Sequence, residues 1–275
     1  MRILTTFPGK FGDVIWACPS LRALAEATGA PVDLAVAAES ASICPLLEAQ
    51  PYIGKAFAIP EWIGLAEPHM PWQAPRVAGY DAQVDLGYRG WPDQPLAQYT
   101  FARLRAEACW AGVQEGALAL ERPWITAGDI ARRLSGAISV GFSDDHFELK
   151  YGLLRLLHAE FSPYTAGFTP LYAEGSRWQR EGGLGVSGCD WLEAARVIAG
   201  ASLFLGCCSA LHVLAIALGV PVVMMEPSAA RHNDIFYPLG KSGPQVTLVT
   251  GNDGLPTWDA RAVAEAVRQG LEATR

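Results

Sequence analysis

Short apolar runs alternate along the chain with longer stretches in which apolar residues recur every three or four positions. In the first part, the runs predict buried strands at 2–6, 32–37, 57–59 and 82–86. The longer stretches predict helices at 13–28, 40–49 and 95–112. Pro19 is expected to kink the first helix or to mark its first turn. Strands that alternate with helices form parallel sheets, so the pattern predicts an α/β fold.

The same pattern restarts after a break at about residues 115–135. Further strands are predicted at 137–142, 164–172, 201–205, 220–225 and 246–250. Further helices are predicted at 152–159, 191–199, 209–218 and 258–272. We therefore predict two Rossmann-like lobes, an N-terminal one at 1–125 and a C-terminal one at 126–257. Residues 258–275 form a C-terminal helix that is a candidate to pack back on the N-terminal lobe.

Composition narrows the class of protein. The chain has 275 residues, of which 51% are hydrophobic and 18% charged, which is enough apolar material for two buried sheets. A formal net charge of -7 argues against binding nucleic acid, and no polybasic run supports an electrostatic membrane anchor. No signal peptide or transmembrane run is predicted. The six cysteines include no CxxC pair, which indicates reduced thiols in a cytoplasmic protein rather than zinc ligands.

The loop after the first predicted strand carries glycines, a lysine and an acid, in the run Gly9-Lys10-Phe11-Gly12-Asp13-Val14. Ligands of parallel sheets bind at this edge, where a strand end meets a helix N-terminus. The run is not a phosphate-binding P-loop, because Phe11 follows the lysine. By residue type alone, Asp13 is interpreted as an N-cap of the following helix.

Two further segments are predicted to reach the carboxyl edges of the sheets. The first, at 80–89, ends in Gly-Tyr-Arg, and its Asp85 and Arg89 are interpreted either as an ion pair or as part of a binding surface. The second, at 200–228, joins a strand to a helix through small residues that would let a diphosphate approach free helix N–H groups. Its candidate contacts are Gly206, Cys208, Ser209 and Ala210, with Glu226 and Ser228 after the next strand.

Taken in order, three segments resemble the lipopolysaccharide heptosyltransferases and their relatives, glycosyltransferase family nine. They are Phe11-Gly12-Asp13-Val14 with residues 19–24, then residues 80–86, then residues 198–228. The run 237–240 is similar to the family's Tyr-Gly segment. The resemblance implies the GT-B architecture, which has two Rossmann-like lobes with the active site in the cleft between them. It also implies transfer of heptose from ADP-heptose to an acceptor sugar, with inversion at the anomeric carbon and without a metal.

Site roles follow from this resemblance residue by residue. Asp13 matches the family's presumed general base, which takes the proton of the acceptor hydroxyl. Lys150 matches the lysine near the donor phosphate, although a solvated lysine at a helix start explains it equally well. His232 is a further donor-side candidate. The residues expected on the acceptor side are Lys10, Gly12 and Arg89.

Several positions depart from the family pattern. Cys208 stands where the family has an acidic residue, Ala210 replaces a glycine, and His212 lies one residue before the family histidine, which aligns on Val213. These departures motivate a second hypothesis, a catalytically impaired or repurposed relative that binds a nucleotide or a glycan. A sugar-nucleotide epimerase is a third, but such enzymes need more acidic and histidine side chains than this chain supplies.

The first hypothesis predicts an inverting glycosyltransferase of lipopolysaccharide biosynthesis that moves heptose or a related sugar. Its donor is a nucleotide-diphosphate sugar, with an ADP-sugar preferred, and its acceptor is a glycan or a glycolipid. No cofactor is required. The acids 144, 145 and 148 are interpreted as hydrated carboxylates, with a metal site as the alternative. A lipid-linked acceptor would need peripheral contact with the inner membrane, for which Trp62, Trp72 and Trp91 are candidates.

Overall fold

A computed structural model describes residues 1–62, 74–87, 94–128, 136–142, 147–162, 168–172, 177–178, 186–187, 190–207, 209–226, 246–250 and 258–274. Among these residues, the first of two compact units runs to Thr126 and the second begins at Ala127. Within the same ranges, no helix is both long enough and apolar enough to cross a membrane. Each unit is built on a parallel sheet of its own.

The strands described in the first unit form one sheet. They are β1 (Ile3–Phe7), β2 (Val32–Ala37), β3 (Ile53–Ile59) and β4 (Ala82–Asp85). Their order is β3-β2-β1-β4, and each neighbouring pair is parallel. Strand β1 has a partner on both sides and is buried along its whole length. Because Phe7 pairs with Val36, the carboxyl ends of β1 and β2 lie side by side.

Helix α1 (Phe11–Thr28) begins two residues before the predicted start and runs through Pro19. The prediction that Pro19 marks the first turn is therefore wrong. Proline has no N–H, so the helical partner of the Ile15 carbonyl is lost. Nε1 of Trp124 donates to that carbonyl at 3.1 Å instead. The freed acceptor is thus satisfied, and the helix continues to Gly29, which adopts a φ of 70°.

The second predicted helix is divided in two. Residues Ala38–Ile43 form a 3-10 helix, and α2 (Cys44–Glu48) follows directly. Pro45 lies in the first turn of α2, where its missing N–H costs no helical hydrogen bond. Helix α3 (Leu96–Glu107) is shorter than predicted, because a 3-10 turn at Cys109–Ala111 takes up its last residues.

Buried polar side chains tie the segment 119–126 to the first unit. Arg22 donates to two carbonyl oxygens of this segment, and the Tyr52 hydroxyl donates to a third. Gln50 accepts from the backbone N–H of Thr126 at 2.8 Å and donates to its carbonyl oxygen at 3.1 Å. These bonds make the segment part of the first unit up to its last residue.

The second unit has a larger sheet in its described residues. Its strands are β5 (Ile138–Gly141), β6 (Phe168–Tyr172), β7 (Val186–Ser187), β8 (Leu203–Cys207), β9 (Val222–Glu226) and β10 (Val246–Thr250). The order is β10-β9-β8-β5-β6-β7, with all neighbours parallel. The carboxyl ends of β5 and β8 are in register, since Gly141 pairs with Gly206.

Four helices are described around this sheet, namely α4 (Phe147–Phe161), α5 (Trp191–Gly200), α6 (Ala210–Ala217) and α7 (Ala260–Glu272). Helix α7 packs its apolar face on the second sheet, where Gly270 approaches the Leu203 side chain. The C-terminal helix is therefore part of the second unit, and whether it also packs on the first lobe stays a prediction. The physical reason is its buried stripe of Val263, Val267 and Leu271, which joins the core of the second sheet.

Candidate functional site

The first candidate region lies at the carboxyl end of β1. The strand ends at Phe7 and α1 begins at Phe11, so Asp13 is the third residue of the helix rather than its N-cap. Its Oδ2 atom accepts a hydrogen bond of 3.2 Å from the backbone N–H of Lys10, the N-cap residue. Asp13 is partly exposed. The Asp13 carboxylate thus caps the N-terminus of the helix that contains it and is still accessible to solvent.

The loop before Asp13 packs tightly against the end of β1. A β-carbon on Gly9 would lie 2.3 Å from the Phe7 ring and 2.6 Å from Cβ of Asp13, so only glycine fits there. The carbonyl oxygen of Gly9 accepts a 2.9 Å hydrogen bond from the hydroxyl of Ser40, which follows β2. The backbone under Asp13 is therefore fixed by contacts with both neighbouring elements.

The end of β4 lies beside the same loop. Asp85 Oδ1 accepts hydrogen bonds from Gly87 N at 2.9 Å and from Thr6 Oγ1 at 3.3 Å. A β-carbon on Gly87 would touch the Pro8 ring at 3.1 Å. The Asp85 carboxylate thus organises the turn that packs against the β1–α1 loop. Arg89, the other member of the predicted ion pair, lies outside the described residues.

The second candidate region lies at the carboxyl ends of β5 and β8. A β-carbon on Gly206 would lie 2.5 Å from the carbonyl oxygen of Gly141 and 2.7 Å from the Phe204 ring. The same buried ring also covers Gly141, where a β-carbon would lie 2.7 Å from it. Packing of this ring therefore explains why residue 206 is a glycine. From the sequence, Gly206 is predicted as a candidate contact of a diphosphate. Ser209 and Ala210 lie just beyond, at the start of α6.

Helix α6 starts with an unusual cap. Ser209 is the N-cap residue, and Nδ1 of His212 accepts a 2.7 Å hydrogen bond from its backbone N–H. The imidazole is 1% exposed, and burial lowers the pKa of His212 to about 3. Because Nδ1 is an acceptor, it carries no proton. The ring is thus neutral, so His212 adds no charge at the positive end of the α6 helix dipole.

Lys150 lies in the first turn of α4, the helix that follows β5, and is only 3% exposed. The alternative of an ordinary solvated lysine is therefore wrong. A buried ammonium group is costly unless anionic or polar groups surround it. Lys150 is therefore a buried cation in the second unit, which also contains α6.

Only some of the other predicted site residues lie within the described ranges. Lys10 is exposed and Gly12 partly exposed in the first region, and Glu226 is the last residue of β9 in the second. Cys208, Ser228 and His232 lie outside the described residues, as do Trp72, Trp91 and the acids 144 and 145. Trp62 is 4% exposed in the core of the first sheet, so it is not available for membrane contact. Within the described ranges, no cluster of acidic, histidine and cysteine side chains could hold a metal ion.

The sequence interpretation did not predict the structural roles of three residues that shape these regions. Ser40 and Gly9 fix the backbone below Asp13, and His212 caps α6. A signal existed for His212, since Ser-x-x-His has the spacing of the Ser-x-x-Glu capping box. No local signal identifies Ser40, because its partner lies 31 residues earlier in the chain.

Two units, each built on a parallel sheet with its candidate residues at the carboxyl edge, define an α/β fold of the GT-B type. Solved structures confirm this predicted fold class. The structure is similar to that of E. coli heptosyltransferase WaaC with ADP, with a TM-score of 0.71, 15% identity and 100% of each chain covered. WaaC has also been solved with ADP-2-deoxy-2-fluoro heptose.

Two further solved structures have the same fold. The glycosyl transferase family 9 protein from Veillonella parvula matches with a TM-score of 0.69 at 13% identity, covering 99% of this chain and 97% of that one. The E. coli ADP-heptose lipopolysaccharide heptosyltransferase II matches with a TM-score of 0.67 at 16% identity, covering 99% of each chain. No protein-family model and no curated protein sequence matches the chain. The fold is thus that of the heptosyltransferases, as the resemblance implied.

Proposed function

We propose that this protein is an inverting glycosyltransferase that moves a sugar from a nucleotide-diphosphate donor to a hydroxyl group of a glycan acceptor. The observation that carries the proposal is the Asp13 carboxylate, which sits at the start of α1 directly after β1 with Oδ2 held by the Lys10 N–H. A general base must be ionised, fixed in orientation and reachable by substrate. A partly exposed carboxylate capping a helix N-terminus meets these requirements.

The reaction follows from that arrangement. The acceptor hydroxyl attacks the anomeric carbon of the donor, the bond from this carbon to the diphosphate oxygen breaks, and the configuration inverts. Asp13 takes the hydroxyl proton as the new bond forms, and the nucleoside diphosphate leaves with the electron pair. Because the hydrogen bond from Lys10 fixes one carboxylate oxygen, the lone pairs are oriented before substrate binds.

Donor binding is assigned to the second region. The leaving diphosphate carries growing negative charge, which free N–H groups at the start of a helix stabilise. The first turn of α6 contains no acidic residue, its His212 side chain is neutral, and Lys150 supplies a cation in the same unit. The similar structures of WaaC contain ADP and ADP-2-deoxy-2-fluoro heptose. This supports an ADP-sugar as the donor and heptose or a similar sugar as the group transferred.

Asp13→Asn tests the proposal. Asparagine keeps a side-chain oxygen for the Lys10 N–H but cannot accept the proton, so the fold is retained and the base is lost. We expect sugar transfer to fall by about 100-fold or more, as removal of a general base does, with ADP affinity unchanged in calorimetry. Asp190→Asn is the matched control, since Asp190 caps α5 by accepting from Glu193 N at 2.8 Å.

The assay uses purified protein, acceptor glycans and a panel of ADP-, GDP- and UDP-sugars. Full transfer by the Asp13→Asn variant would refute the assignment of the base. Wild-type protein that binds a nucleotide tightly but turns over no member of the panel would instead support the repurposed relative, for which Cys208 at the family's acidic position is the sequence argument.

A further inference from the structure

Ser40 is a buried polar residue with a single described partner near the candidate base. It is 1% exposed and lies in the 3-10 helix that follows β2. Its hydroxyl donates to the carbonyl oxygen of Gly9 at 2.9 Å. The parallel register of β1 and β2 brings these two residues together, because Phe7 pairs with Val36.

The peptide group that Ser40 contacts is the one that holds Asp13. The carbonyl of Gly9 and the N–H of Lys10 belong to the same planar peptide unit. Its oxygen accepts from the Ser40 hydroxyl, and its N–H donates to Asp13 Oδ2 at 3.2 Å. A hydrogen bond accepted at a peptide oxygen polarises the unit and strengthens donation by its N–H. The two bonds therefore form one chain from hydroxyl to carboxylate.

The loop geometry leaves this chain little freedom to adjust. A β-carbon on Gly9 would lie 2.6 Å from Cβ of Asp13 and 2.3 Å from the Phe7 ring. Gly9 therefore packs closely against the Phe7 ring and against Asp13, with no space for a side chain. The Ser40 hydrogen bond further restrains the Gly9–Lys10 peptide at its carbonyl oxygen.

We propose that Ser40 is a positioning residue for the base, which acts through the Gly9–Lys10 peptide to orient the Asp13 carboxylate and to favour its ionised form. The inference rests on the proposed function for its effect on turnover. Its structural part, the coupling of Ser40 to the Lys10 N–H, stands independently of any activity. The experiment therefore measures the two parts separately.

The structural part is tested by NMR on the full chain labelled with 15N-lysine. The sequence has four lysines, at positions 10, 55, 150 and 241, so the spectrum has four backbone amide signals, and Lys10→Arg assigns the first. We expect the Lys10 amide proton to shift as Asp13 titrates in the wild type and not to shift over that range in Asp13→Asn. In Ser40→Ala the same proton should move upfield, while Ser40→Thr, which keeps the hydroxyl, should restore it.

The functional part is tested by transfer kinetics. Removing one polarising hydrogen bond is expected to lower kcat about fivefold in Ser40→Ala, with KM for the donor unchanged. The acidic limb of the pH profile should move to higher pH, because the carboxylate loses support for its charged form. Ser20→Ala is the matched control, since it removes a buried bond from α1 to Thr100 without touching the loop.

The outcomes separate the two proposals. An unchanged Lys10 amide signal in Ser40→Ala, or a kinetic loss equal to that of Ser20→Ala with no change in the pH profile, would overturn the positioning role. Full activity of Asp13→Asn would overturn the proposed function while the NMR result still decides the coupling. If Ser40→Ala fails to fold, Ser40→Cys, which keeps only a weak donor, replaces it in both measurements.

Discussion

The His212 cap leads to a defined dependence of stability on pH. The imidazole is buried, and its pKa falls from the ordinary 6.5 to about 3. Between these values an unfolded chain binds a proton at this position and the folded chain does not. A group whose pKa is depressed by folding gives its full stabilisation above the unfolded pKa and loses it as the pH falls toward the folded pKa. His212 therefore destabilises the fold progressively below about pH 6.5.

Glutamine is the informative replacement. Ser-x-x-Gln is a capping box, so the side chain introduced by His212→Gln can still accept from the Ser209 N–H but does not titrate. One pKa unit corresponds to about 1.4 kcal/mol. Lowering the pH from 7 to 5 should therefore cost the wild type about 2 kcal/mol more free energy of unfolding than it costs the variant. The other titrating groups cancel in this comparison.

Urea unfolding at pH 7, 6 and 5, followed by circular dichroism, measures the difference. His212→Ala is the control, because it removes both the cap and the titration. Its stability should be lower than that of the glutamine variant by about 1 kcal/mol at every pH, as for a lost helix cap. Parallel pH profiles for wild type and His212→Gln would refute the reasoning, since they would show that the imidazole is not held neutral.

Two further predictions concern packing and burial. Gly206→Ala should destabilise the protein by about 1–3 kcal/mol in thermal unfolding, because its β-carbon would lie 2.5 Å from a backbone oxygen of β5 and 2.7 Å from the Phe204 ring; an unchanged midpoint would show that both the Gly141 carbonyl and the ring can move aside. Burial raises the pKa of the Cys18 thiol to about 12, so native protein at pH 8 should alkylate at the exposed Cys109 and not at Cys18, as mass spectrometry of peptides would reveal.

Local patterns predict the elements whose signals are local. The strands at 32–37 and 246–250 are observed with the predicted bounds, because short runs rich in apolar and β-branched residues are read directly from the sequence. The pattern places the start of α4 too late, at 152, although the helix begins at Phe147. The reason is Lys150, a charged residue on the buried face, which interrupts the apolar periodicity. Lys150 thus both obscures the start of α4 in the sequence and places a buried cation there.

The candidate base and its support differ in the same way. Asp13 is identified by a motif contained within a few residues. Ser40 is not, because its contact with the β1–α1 loop depends on the register of two strands and on a 3-10 helix that the pattern does not predict. The sequence shows that residue 9 is a glycine but not why. Only the folded loop shows that the Phe7 ring leaves no space for a side chain at this position.

The two helices that start at the candidate regions use one capping geometry with opposite chemistry. In α1 and in α6 the third residue reaches back to the N–H of the N-cap, from Asp13 to Lys10 and from His212 to Ser209. A carboxylate at this position compensates the positive helix end and presents a proton acceptor. A neutral, buried imidazole satisfies the same N–H and leaves the helix end attractive to an anion. This difference is the physical argument for placing the base at α1 and the diphosphate at α6, because exchanging the two side chains would repel the donor and remove the base.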